Sequence, residues 1–160
     1  MMRRLLFISL AAALSSLLSP AEESCPWLTS ATAAGILGHS VTVSVTHPGK
    51  NKDGAVCEFT SGAAVPSALR IEVETMANPA GDFASWLARC GANGVPVRGI
   101  GNQAVACPVE KGANISEQII SRVRERALLV RVTTKKTANP RPPLREQADT
   151  AAELTAGNLF

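Results

Sequence analysis

Ser116-Glu117-Gln118-Ile119-Ile120-Ser121-Arg122-Val123-Arg124-Glu125-Arg126-Ala127-Leu128-Leu129-Val130-Arg131-Val132-Thr133-Thr134 admits two readings, and the choice between them decides the fold. As a helix, it places Ile119, Val123, Ala127 and Val130 on one face, and Asn114 with Glu117 has the spacing of a capping box. As strands, Ile119, Ser121 and Val123 alternate with Ile120, Arg122 and Arg124; Leu128, Val130 and Val132 then alternate with Leu129, Arg131 and Thr133. The density of β-branched residues and the threonine end favour two strands joined by a tight turn near Glu125-Arg126. Against them stands the turn itself, which lacks the Asn-Gly or Asp-Gly that two-residue hairpins prefer. The strand reading is adopted.

Towards the C-terminus, Asn139-Pro140-Arg141-Pro142-Pro143 is a stiff, non-helical connector. Pro143 can start a last helix over Leu144 to Leu154, with Leu144, Ala148, Ala151 and Ala152 as its buried stripe. Towards the N-terminus, Gln103 to Cys107 reads as a strand and the glycine-rich Gly91 to Gly101 as a loop. Phe83, Trp86, Leu87 and Cys90 recur at helical spacing after Asp82 and before Gly91. Leu69, Ile71, Val73 and Thr75 alternate with Arg70, Glu72 and Glu74, the cleanest strand pattern in the chain. Ala55 to Thr60 is a strand with Cys57 and Phe59 on one side, reached through the breaker-rich turn Pro48 to Gly54. Val41, Val43 and Val45 alternate with polar residues. Thr29 or Ser30 caps a short helix, Ala31 to Leu37, that stops at Gly38. The resulting order, α-β-β-β-α-β-β-β-α, predicts an α+β fold with a mainly antiparallel sheet and helices on one face.

The N-terminus carries an address. Met1-Met2-Arg3-Arg4 is a positive head, Leu5 to Leu18 is almost wholly apolar, and Ser19-Pro20-Ala21 offers small residues before a cut. This is the pattern of a secretory signal peptide, too short for a comfortable membrane span of roughly 20 residues. Cleavage after Ala21 leaves residues 22–160 as a single exported domain, secreted or periplasmic, with no membrane anchor. Glu22-Glu23-Ser24 before Cys25 does not fit a lipobox.

An even number of cysteines behind an export signal points to two disulfides. Cys25, Cys57, Cys90 and Cys107 allow three pairings. Cys25–Cys57 with Cys90–Cys107 is preferred, because each bridge then links a helix edge to a nearby strand. Zinc is poorly supported: no two cysteines have metal-ligand spacing and neither histidine adjoins one.

The formal charge of +3 includes Arg3 and Arg4, so the mature chain is nearly neutral, and bulk binding to nucleic acid or membrane is not expected. Lys111 to Arg145 nevertheless holds nine basic residues and two acidic ones. If the strand reading holds, Arg122, Arg124 and Arg131 project from one face, joined by Lys135, Lys136 and Arg141. That surface is the candidate site for an anionic envelope component or an acidic protein. Aromatic residues make up 4% of the chain with no Tyr, which argues against stacking platforms for bases or sugars.

The sequence offers little to catalysis. His39 and His47 fall at loop edges, no Gly-x-Ser-x-Gly elbow occurs, and paired cysteines offer no thiolate. Glu72 and Glu74 share a strand face about 7 Å apart, within the range of glycoside chemistry. They lie opposite the core on the expected solvent side. Gly94, Gly99 and Gly101 do not make a phosphate-binding fingerprint. No catalytic residue, metal or cofactor is expected; a small secreted hydrolase, or an inhibitor presenting a loop near Cys90 and Cys107, is the alternative.

Cys25-Pro26-Trp27-Leu28-Thr29, a short helix ending in Leu37-Gly38, and a strand bearing Cys57-Glu58-Phe59 together resemble the opening of a known family. Its members are exported bacterial proteins, mostly lipoproteins of unknown function, similar in fold to extracellular sensor domains of membrane-bound Ser/Thr kinases. The alternating strand Leu128 to Thr133 followed by an alanine-rich helix matches as well. The resemblance implies a disulfide-braced domain that binds a ligand or partner, and supplies no catalytic residues. The missing lipobox departs from the family and implies a free exported protein.

Overall fold

The computed structural model describes residues 24–48, 54–136 and 143–160. The expected signal peptide, most of the turn between Pro48 and Gly54, and Asn139 to Pro142 with Arg141 lie outside the described residues.

Three helices, α1 (Ser30–Leu37), α2 (Pro79–Leu87) and α3 (Leu144–Gly157), accompany seven strands. These are β1 (Val41–Thr46), β2 (Ala55–Ser61), β3 (Ser67–Thr75), β4 (Val95–Val97), β5 (Gln103–Lys111), β6 (Asn114–Val123) and β7 (Arg126–Lys135). A 3-10 segment, Ala88–Asn93, follows α2. The strands form one sheet in the order β1-β2-β3-β7-β6-β5-β4. Every pairing is antiparallel. Two meanders, β1-β2-β3 and β4-β5-β6-β7, thus meet along β3 and β7. The fold is α+β with the expected element order, plus the short edge strand β4.

Local chemistry sets the helix ends. Thr29 caps α1 by accepting from the Thr32 backbone N–H, and Gly38 closes it at φ 76°. α2 begins earlier than Asp82. Asn78 accepts from the Gly81 N–H, the Asp82 carboxylate accepts from the Asn78 N–H at 2.9 Å, and Pro79 fills the first turn. α3 runs beyond Leu154 to Gly157, burying Thr155 and Ala156 as well as the alanine stripe.

Ser116–Thr134 is a hairpin at the centre of the sheet. Ile119, Val123, Leu128, Val130 and Val132 face a core completed by Leu37, Phe59, Ile71 and the alanines of α3. Ile120, Ala127 and Leu129 face a second core with Met76, Phe83, Trp86 and Cys90. The helices are therefore not gathered on one face. α1 and α3 cover one side, while α2 and the 3-10 segment cover part of the other. Ile120 and Leu129 require that second cover, because each is fully buried and would otherwise expose its side chain to water.

Each side has its own disulfide: Cys25–Cys57 in the α1/α3 core and Cys90–Cys107 under α2, the pairing preferred from the sequence. Cys90 lies on the 3-10 segment and Cys107 on β5, so the second bridge staples the short helical cover to the strands.

The stretch Gly91 to Gly101 is only partly a loop. Val95–Val97 pairs with Ala104–Ala106 as an edge strand, where Pro96 is tolerated and blunts further pairing. The β6–β7 turn is Arg124-Glu125, one residue earlier than expected. Arg124 takes φ 56° without being glycine. The turn is held from outside. Asn102 Oδ1 accepts from the Arg124 N–H at 2.7 Å, the Asn102 N–H donates to Arg122 O at 2.7 Å, and the Met76 N–H donates to Glu125 O at 2.8 Å. These bonds replace the preference that Asn-Gly would have supplied.

Candidate anion-binding face

α2 covers only part of its side of the sheet. Beyond Ile120 and Leu129, the next cross-strand row is half-buried at Arg70 and Arg131 and buried at Gln118 and Cys107. Register places Glu58 opposite Arg70, Arg70 opposite Arg131, Arg131 opposite Gln118, and Gln118 opposite Cys107. The row thus runs from a carboxylate through two guanidinium groups and an amide to a disulfide.

Gln118 is fully buried. Its Oε1 accepts from Arg131 Nε at 2.9 Å and also from Nη2, while its Nε2 lies 3.7 Å from Cys107 Sγ and 3.9 Å from Cys90 Sγ. A buried amide with partners on both ends is a satisfied polar group, and it fixes the arginine fork.

Arg70 is held more loosely. Its Nη2 lies 3.4 Å from Glu72 Oε2 and its Nη1 3.8 Å from Glu58 Oε2. Arg89, from the 3-10 segment, reaches Glu72 Oε1 at 3.2 Å and stacks on Trp86, 3.9 Å from the ring centroid. Arg131 loses protons more readily than an ordinary arginine, chiefly through burial, then through Arg70; Glu72 opposes the shift and Arg89 adds to it. Like charges directly opposite on neighbouring strands are unfavourable, so the Arg70–Arg131 pair is a local cost of the free protein.

The three arginines expected together are dispersed. Arg122 and Arg131 share this face, yet Arg122 pairs with Ala127, four residues along β6 from Gln118. That separates the two arginines by about 13 Å. Arg122 Nε is buried without a hydrogen-bond partner among the described residues. Arg124 sits in the turn, its guanidinium 5.4 Å from the Phe160 ring. There it helps line a cavity of about 550 Å³ with Thr75, Val123, Glu125, Arg126 and Leu159. Lys136 pairs with Glu110 at 3.2 Å, and Lys135 lies opposite Asn114 at the far end of the hairpin.

Sequence reasoning missed Arg70 and Arg89. Arg70 carried a signal: it occupies the centre of the clearest alternating strand, on the side away from Leu69 and Ile71. Its opposition to Arg131 needed the register.

The remaining candidates stand apart. His39 is exposed, and His47 Nδ1 lies 3.2 Å from Gly54 O. Glu74 is exposed, whereas Glu72 is more enclosed than the solvent position expected of it, because both its oxygens meet arginines. Among the described residues no group of three or more His, Cys, Asp or Glu could hold a metal ion, and no helix is long and apolar enough to cross a membrane.

Comparison with protein-family models, curated proteins and solved structures gives no match. The fold and face thus define an α+β protein with one seven-stranded antiparallel sheet and a disulfide on each side. No family is shown.

Proposed function

We propose that residues 22–160 form an exported, non-enzymatic binding or sensing domain of the bacterial cell envelope. It is freed from its signal peptide after Ala21, and its basic sheet face takes an anionic envelope component or an acidic protein. The single observation that carries this reading is the half-buried cross-strand pair Arg70–Arg131, where two guanidinium groups oppose each other. Export rests on the N-terminal pattern and is supported by two disulfides, which persist in oxidising compartments. The Cys25-Pro26-Trp27 opening and its resemblance to exported envelope proteins point the same way. A non-enzymatic role is supported by Glu72, whose oxygens are occupied by arginines, and by His47, whose Nδ1 is turned to a backbone carbonyl.

The test is capture on the purified protein from an envelope fraction at low and at high salt. Binding that weakens steeply with salt is expected for an electrostatic contact. Binding indifferent to salt, or none at all, overturns the reading.

A further inference from the structure

We infer that the Arg70–Arg131 pair, backed by Gln118, is a seat for a carboxylate side chain of an acidic protein segment. The inference rests on the reading of this sheet face as the binding surface, and names its ligand.

Donor geometry comes first. Arg131 spends Nε and Nη2 on Gln118, so its Nη1 has no partner among the described residues. Arg70 spends Nη1 and Nη2 on loose contacts of 3.8 and 3.4 Å, so its Nε is also without one. Two guanidinium groups with spare N–H donors meet at directly paired positions. A carboxylate placed between them would receive charge-assisted bonds from both and would cancel their mutual repulsion.

The seat is also pre-set. Gln118 is enclosed between the Cys90–Cys107 sulfurs and Arg131, so the fork is oriented before any ligand arrives. A donor already fixed loses less freedom on binding than a mobile surface arginine.

The charge count selects the ligand. Arg70, Arg89 and Arg131 face Glu58 and Glu72, which leaves one positive charge to be met. A single carboxylate matches that balance. A phosphate dianion held in the seat would bring surplus negative charge against the two glutamates. Nor does the face offer a ring to a sugar: Trp86 is buried beneath Arg89, and the exposed Phe160 lies beside Arg124 instead. An anionic glycan therefore lacks its usual stacking partner, and an acidic polypeptide does not need one.

The experiment titrates the disulfide-intact protein with a hexaglutamate peptide at low ionic strength, following the arginine Nε–Hε resonances and the heat of binding. The Arg70 and Arg131 signals are expected to shift. Arg70→Met should weaken binding about tenfold or more, and Arg122→Ala with Arg124→Ala should not. Because Arg131→Met alone strands the buried Gln118, the double variant Gln118→Met/Arg131→Met removes both partners and should show the same loss. Melting curves of the variants report whether each is folded. Undiminished peptide binding in Arg70→Met and in the folded double variant overturns the seat. So does heparin that binds at these arginines more tightly than the peptide. If hexaglutamate fails to bind while salt-sensitive envelope capture persists, the seat falls and the broader reading stands.

Discussion

Gln118 and Arg131 face each other across β6 and β7, and the glutamine joins that arginine to the Cys90–Cys107 bridge on its far side. A covalent staple near the sheet edge is thereby linked to a half-buried charged group on the sheet face by one buried amide. Opening that bridge is expected to cost about 3 kcal/mol in the chain-entropy picture. It should also loosen the Arg131 fork. In urea unfolding and arginine NMR, Cys90→Ala/Cys107→Ala should show both effects. Cys25→Ala/Cys57→Ala should lose about 4 kcal/mol and leave the Arg131 Nε–Hε resonance where it was.

Thr155 lies on α3 with no exposed surface, and its hydroxyl has no hydrogen-bond partner among the described residues. A buried hydroxyl without a partner carries its desolvation cost uncompensated. Thr155→Val keeps the shape and removes the hydroxyl. Denaturant unfolding should show a gain of about 1 kcal/mol; a loss would mean that the hydroxyl is satisfied in solution.

Gly101 passes so close to β6 that an added Cβ would stand 2.5 Å from Arg122 O and 2.7 Å from Ser121 Oγ, on a backbone at φ +64°. The backbone atom cannot step aside as a flexible side chain could. Gly101→Ala should cost more than about 2 kcal/mol. Asn102→Ala removes the bond to the Arg124 N–H and should cost about 1–2 kcal/mol, with faster amide exchange at Arg124 and Glu125.

Glu117 has its pKa raised from 4.5, chiefly by burial; Arg145, 3.3 Å away, opposes the shift, and Asp149 adds a little to it. The folded protein therefore keeps this proton to a higher pH than the unfolded chain does. The resulting stabilisation is fully present below pH 4.5 and is lost as pH rises through the folded value. Glu117→Gln has no such dependence. Measured across pH, its stability should overtake that of the parent as pH rises, with a gap below about 1 kcal/mol at neutrality. A gap that widens towards acid would reverse the sign and sink the argument.

The readable parts of the fold were those governed by local chemistry. Thr29 and Gly38 mark α1, and the alternation of β3 survives because Arg70, Glu72 and Glu74 stay polar. The hairpin was obscure for a physical reason. Ile119-Ile120 and Leu128-Leu129 are apolar on both sides because both sides are covered, and a doubly buried strand loses its period of two. The same doublets held the signal that α2 packs opposite α1 and α3, which the assumption of one covered face hid. The site was less legible than the fold. Arg131 stood out in the sequence, but its partner depends on register. That register is set by a turn whose bonds come from Asn102 and Met76, far away in the chain.

The two cross-links also bear on how the chain matures. They join the first cysteine to the second and the third to the fourth, with no interlacing of the loops they close. A chain oxidised from its N-terminus onward, each thiol capturing the next to arrive, reaches the native connectivity directly. Thiol–disulfide reshuffling, which takes seconds to hours where wrong pairs must be undone, has nothing to correct on that route. On that route a simple oxidant is expected to yield the native pairs without an isomerase.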